Sequence, residues 1–98
     1  MPIIVAVSDV FHALGAPARR AILDELRVRD GQTLFELCSR LAMRREMGMS
    51  RQAVSQHLDV LEAAGLVVTR REGRYKFHSI DTAPLRAIAE RWADPGET

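Results

Sequence analysis

The chain has 98 residues, 47% of them hydrophobic, with a formal net charge of +1 and one cysteine. That length supports one domain with a modest core; a single Cys excludes an internal disulfide and agrees with a reducing compartment. No apolar run approaches the roughly 18 residues that a membrane span needs.

The start, Pro2-Ile3-Ile4-Val5-Ala6-Val7, is too short for a signal sequence and lacks a basic lead-in, so a cytoplasmic address is expected. Ser8 is placed to cap a short helix through Val10, Phe11 and Leu14, which Gly15 breaks. Ala16-Pro17 opens a second helix, since proline in the first turn gives up an N–H that has no partner there. Ala18, Ala21, Ile22 and Leu26 make its apolar stripe, widened by Leu23, with Arg19, Arg20, Asp24 and Arg27 outward. Asp30-Gly31 is a turn signal. Thr33-Leu34-Phe35-Glu36 reads as a capping box, and Leu34, Leu37, Cys38 and Leu41 recur at helical spacing behind it. The stretch Arg44-Arg45-Glu46-Met47-Gly48 is either another turn of this helix or a basic loop over phosphates.

Ser50 caps the next helix, which Gly65 ends in the left-handed position. Val54, Leu58 and Leu61 face inward, and Gln52, Ser55, Gln56 and Asp59 share another face. A face that begins Arg, Gln, Ser, Gln suits a reader of the major groove, where Gln pairs with adenine and Arg with guanine. It also suits the solvated side of an ordinary amphipathic helix. Helix, turn and second helix make a helix-turn-helix pattern. The period then changes to two. Leu66 to Arg70 reads as a strand, Glu72-Gly73 as a tight turn, and Tyr75 to Ile80 as the returning strand. Arg70, Arg71, Arg74 and Lys76 cluster at the hairpin tip, which makes it a basic wing beside the reading helix. Asp81 or Thr82 caps a last helix with Pro84 in its first turn and Leu85, Ile88 and Trp92 on its stripe, alongside Ala89. Residues 94–98 form a frayed tail.

The fold expected is mainly α with a small β-hairpin: a winged helix-turn-helix of about five helices and a two-stranded wing, in one domain spanning 1–98. From Arg40 to Lys76 stand Arg40, Arg44, Arg45, Arg51, Arg70, Arg71, Arg74 and Lys76 against Glu46, Asp59, Glu62 and Glu72. A basic middle between flanks that are acidic on balance is the footprint a nucleic acid would require. Val10, Phe11, Leu14, Leu85, Ile88 and Trp92 are more apolar surface than a small domain covers, so the terminal helices, about 8–15 and 82–93, are expected to pair two copies. No paired carboxylates, no nucleophile with an evident base and no phosphate-cradling glycine loop point to catalysis.

The runs Ala16-Pro17-Ala18-Arg19-Arg20-Ala21-Ile22-Leu23, Ser50-Arg51-Gln52-Ala53-Val54-Ser55-Gln56-His57-Leu58, Leu61-Glu62-Ala63-Ala64-Gly65-Leu66-Val67 and Arg71-Glu72-Gly73-Arg74-Tyr75-Lys76-Phe77 resemble the ArsR family of bacterial winged-helix repressors. The resemblance extends from about Ser8 to Trp92. It implies a homodimer, joined through the first and last helices, that binds an inverted-repeat operator in double-stranded DNA and represses its own or neighbouring genes. It also implies Ser50, Arg51, Gln52, Ser55 and Gln56 as DNA-facing positions. His57 belongs to the motif and suits either a base contact or a helix–helix contact.

Two departures bear on regulation. Metal-sensing members carry Cys-x-Cys on the third helix, where this chain has Leu37-Cys38-Ser39-Arg40. Others place His and carboxylates along the last helix, which here offers Asp81, Glu90 and Asp94 but no His. One thiolate cannot hold a soft metal, so no metal or cofactor is expected. Cys38 lies on an apolar stripe, where free Cys packs as a small hydrophobe. His12, His57 and His78 sit on three separate elements. A protein-interaction module without a DNA target, and a redox- or metal-triggered repressor resting on Cys38 and the histidines, stay open beside the main reading. The inducer is not legible in these residues.

Overall fold

The computed structural model describes residues 7–94, in the order α1 (Val7–Leu14), α2 (Pro17–Val28), α3 (Leu34–Arg45), α4 (Arg51–Ala63), β1 (Val67–Glu72), β2 (Tyr75–Ile80) and α5 (Ala83–Arg91). Residues 1–6 and 95–98, with most of the apolar start and of the expected tail, lie outside that range. The five helices and the antiparallel hairpin are the expected set.

Local chemistry sets the ends of the central helices. Thr33 Oγ1 accepts from the Glu36 amide and Glu36 Oε1 accepts from the Thr33 amide, both at 3.2 Å, closing the capping box at the start of α3. Ser50 Oγ accepts from the Ala53 amide at 3.1 Å at the start of α4. At the far end of α4, Gly65 takes φ +75°. The Leu66 amide then donates to the Leu61 carbonyl and the Gly65 amide to Glu62, each at 3.0 Å, a Schellman closure that satisfies two orphan carbonyls. Leu66 thereby leaves the helix pointing into the core, before β1 rather than within it.

The core forms where α2, α3 and α4 meet: Ile22, Leu26, Leu37, Leu41, Val54 and Leu61 are buried, and Leu66 and Val67 close it from the hairpin side. The α1 helix packs on α2 and α4 and carries α5 on its other side. Two α2 arginines fasten it. Arg19 donates to the Ala13 and His12 carbonyls at 2.8 and 2.9 Å, and Arg20 to Leu14 at 2.6 Å, so cations meet the negative end of α1. Arg19 is therefore folded back and half-buried rather than turned outward as expected. Ser8 lies within the first described turn of α1 rather than before it, because the helix is already under way at Val7.

The hairpin register is Val67↔Ile80 through Glu72↔Tyr75. The turn is thus Gly73-Arg74 rather than Glu72-Gly73, with Gly73 at φ +58° as a tight two-residue hairpin demands. Gln32, in the α2–α3 connection, exchanges both backbone hydrogen bonds with His78 at 2.9 and 2.7 Å and so ties β2 to the helical layer. The fully buried Gln32 amide also donates to the Glu25 and Arg29 carbonyls, and His78 Nδ1 donates to the Gln32 carbonyl at 2.9 Å.

Glu25 is the polar feature that periodicity hides. It sits on α2 among core positions at 0% exposure and meets the guanidiniums of Arg40, Arg44 and Arg45 on α3 at 3.0, 3.3 and 2.7 Å. Burial pushes its carboxyl up, but hydrogen bonds from Arg45 and Arg40 and the charges of Arg45 and Arg44 outweigh that and hold it below its ordinary value. A depressed folded value adds stability above the unfolded value of about 4.3 and loses it as pH falls through the folded one. Urea denaturation should therefore show stability falling below about pH 4.3. Glu25→Gln should be less stable at neutral pH and should flatten that acid limb; an unchanged slope would assign the limb to other carboxylates.

Candidate nucleic-acid interface

The Ser50 cap and the Val54-Leu58-Leu61 anchor fix which side of α4 is left over. Arg51, Gln52, Gln56 and Asp59 are exposed on it and Ser55 is half-exposed. His57 is not on that face. It turns toward α2, where Arg19 Nη1 donates to its Nδ1 at 3.3 Å, so of its two expected roles the helix–helix contact is the one the fold provides.

The basic residues divide into two groups once the fold is formed. The C-terminal turn of α3 carries Arg44 and Arg45, so they belong to a helix rather than to a loop. Arg45 is bonded through Nε to Glu25 and lies 3.9 Å from Asp24, which removes it from the free cations expected at the interface. On the wing, Arg70 lies 3.5 Å from Glu72 and 5.2 Å over the Phe77 ring. Lys76 Nζ stands 3.9 Å from Glu62 Oε2 and links the wing to α4. Arg51, Arg71 and Arg74 are exposed and make no hydrogen bond or ion pair with a carboxylate among the described residues. They flank the exposed face of α4 from its start and from the wing.

The register also sets Arg71 directly opposite Lys76. Like charges across a strand pair are destabilising by a fraction of a kcal/mol. An anionic partner along this edge would reverse the sign of that contribution.

The expected pairing surface is only partly available. Val10 is 2% exposed, because α1 packs on α2 and α4 and turns it into the core, so it cannot contact a second copy. Leu14, Leu85 and Ile88 are half-buried against the core. Phe11 and Trp92 remain 49% and 60% exposed, with ring centroids 6.3 Å apart across α1 and α5. This exposed aromatic pair was legible as two apolar positions, but its juxtaposition was not.

Cys38 is half-buried beside the core, and burial pushes its thiol up despite the opposing charge of Arg51. Among the described residues no group of His, Cys, Asp and Glu converges to hold a metal ion, and no helix is long and apolar enough to cross a membrane. His12 is exposed on α1, while His78, on β2 of the wing, is buried against Gln32.

A helix-turn-helix domain family model matches residues 14–70. Among curated proteins, the uncharacterized HTH-type transcriptional regulator YuzN of Bacillus subtilis is 42% identical over 87% of this chain and 92% of its own length. The transcriptional repressor SdpR of the same organism is 29% identical over 82% of this chain and 81% of its own. An ArsR-like transcriptional regulator from a Rhodococcus species superposes with a TM-score of 0.75 at 34% identity, covering 87% of this chain and 72% of that one. A homodimeric winged helix-turn-helix DNA-binding domain from Mycobacterium bovis, described as a possible ArsR-family regulator, superposes at 0.66 with 25% identity, covering 90% and 82%.

The raised, half-buried thiol has a direct readout, since thiolate is the reactive form. Iodoacetamide should alkylate Cys38 at least about tenfold more slowly in the folded protein than in urea at the same pH. Equal rates would show an open, ordinary thiol.

Proposed function

Since this chain belongs to the helix-turn-helix transcriptional regulators of the ArsR family, we propose that it acts as a homodimeric repressor that binds an inverted-repeat operator near its own or neighbouring genes. In this reading α4 enters the major groove with Arg51, Gln52, Ser55 and Gln56 toward the bases, Ser50 at its end, and His57 supporting it from behind. Arg71 and Arg74 on the wing take the adjacent backbone or minor groove, while Arg70 and Lys76 hold the wing in shape. Arg44 takes a phosphate beside the start of α4. The observation that carries the reading is the uncovered polar face of α4 flanked by the exposed Arg51, Arg71 and Arg74.

The name of SdpR supports repression, and the homodimeric M. bovis domain supports pairing. Phe11 and Trp92, backed by Leu14, Leu85 and Ile88, supply an exposed aromatic centre for that contact. Twofold symmetry then sets two α4 helices against two half-sites about one or two helical turns apart. A chromosomal target puts the protein to work in the cytoplasm.

The test is fluorescence anisotropy with DNA from upstream of the gene and a scrambled duplex of equal length. Tight, saltable binding to the first at two chains per site supports the proposal; no salt-sensitive binding to either duplex would favour a protein-interaction module instead. Within the complex, Gln52→Ala should cost about 1–3 kcal/mol of discrimination if its amide pairs bidentately. Arg74→Ala should weaken both duplexes alike and reduce the salt slope by about 0.9, because a phosphate contact releases counterions without reading sequence.

Pairing has its own measurement. Trp92→Ala should shift sedimentation toward monomer at micromolar concentration and remove the dependence of the unfolding midpoint on protein concentration, since the ring is already exposed in one copy. A dimer of unchanged affinity would move the interface away from α1 and α5.

A further inference from the structure

Glu25 has a consequence for DNA binding that rests on the regulator reading. Three guanidiniums converge on its one buried carboxylate, all through Nε: Arg40 and Arg44 on Oε1, Arg45 on Oε2. One negative charge meets three positive ones, and Asp24, 3.9 Å from Arg45, offsets only part of the excess. The Arg44 side chain is 52% exposed, so its outer edge remains open to solvent. Arg40 and Arg45 donate hydrogen bonds to Glu25, whereas Arg44 is paired with it by charge alone, so of the three guanidiniums Arg44 is the one placed to turn to a phosphate.

The cluster also stands at a mechanically sensitive place. It grips the last turns of α3, and Glu46 follows immediately in the left-handed region at φ +53°. A non-glycine residue there costs about 1–2 kcal/mol. The Glu46 and Met47 amides both return to the Leu41 carbonyl. Four residues later Ser50 starts α4. The connection into α4 thus starts from the end of α3 that this cluster holds, while Val54, Leu58 and Leu61 anchor α4 itself in the core. Stability alone is a poor reason for such a cluster, because apolar replacements of buried ion pairs are often neutral or stabilising.

We propose that Glu25 is a positioning residue for DNA recognition: by gathering Arg40, Arg44 and Arg45 onto one carboxylate it fixes the connection into α4 and leaves Arg44 alone to take a backbone phosphate. Neutralising it frees the arginines to repel one another and swing outward. Contacts that read no sequence are gained, and the set of α4 is loosened.

The experiment compares wild type, Glu25→Gln and Arg44→Gln in anisotropy titrations across salt. The probes are a scrambled duplex and the duplex that wild type selects from a random-sequence pool, with thermal unfolding of each protein alongside. Arg44→Gln should lower the unfolding midpoint only slightly, since Arg40 and Arg45 keep their hydrogen bonds to Glu25, and should weaken both duplexes about fivefold at 0.15 M salt and flatten both slopes by about 0.9. Glu25→Gln should bind the selected duplex more weakly yet the scrambled one about fivefold more tightly, with a steeper slope. If it weakens both in equal proportion, Glu25 is merely structural and the proposal fails. Unchanged slopes in Arg44→Gln would overturn the phosphate contact even if Glu25→Gln does not fold. Wild type that selects no duplex would remove the regulator reading itself.

Discussion

A carboxylate cut off from water must be met by cations or give up its charge. In this chain that constraint falls on Glu25, and the answer to it shapes one whole side of the molecule. Its partners come from successive turns at the end of α3, so α2 and α3 are joined by charge as well as by Leu26, Leu37 and Leu41. The Glu25 carbonyl also accepts from the Gln32 amide, and Gln32 in turn pairs with His78 of the wing. One residue on α2 is therefore two links from the hairpin and also holds the end of α3 from which the chain runs into α4.

The same network redistributes charge. A linear count assigns a broad basic middle to the chain, yet the folded protein engages much of it internally. Arg45 is bound to Glu25, Lys76 stands near Glu62, and Arg70 is held between Glu72 and Phe77. What remains open at the candidate interface is Arg51, Arg71 and Arg74, which have no carboxylate partner among the described residues, and Arg44, which is exposed although paired with Glu25. Cations tied to carboxylates shape the scaffold, whereas unpartnered ones release counterions when they meet phosphate.

Away from that face, α1 and α5 solve a different problem. No residue of α5 is buried, so the helix contributes little to one copy's core. Its stripe instead brings Trp92 to Phe11 and leaves both rings in solvent. A terminal helix with such a surface gains from covering it, and a second copy offers the matching surface by symmetry.

Local signals in the sequence determined most of the architecture. Thr33 and Glu36, Ser50, Gly65 and Gly73 act through bonds and backbone angles within a few residues, so their roles are visible without a fold. The exposed face of α4 was legible for the same reason: once Val54, Leu58 and Leu61 are buried, helical geometry leaves Gln52 and Gln56 outside. Pairings between distant elements were not legible. Glu25 reads as one more charged residue beside Asp24 until α3 brings three arginines to it. Val10 reads as surface until α2 and α4 cover it, and nothing local to Gln32 signals that β2 pairs with it. Sequence periodicity says which side of an element is apolar; only the tertiary structure decides which charges and rings meet, because that depends on elements whose separation along the chain carries no signal of their contact.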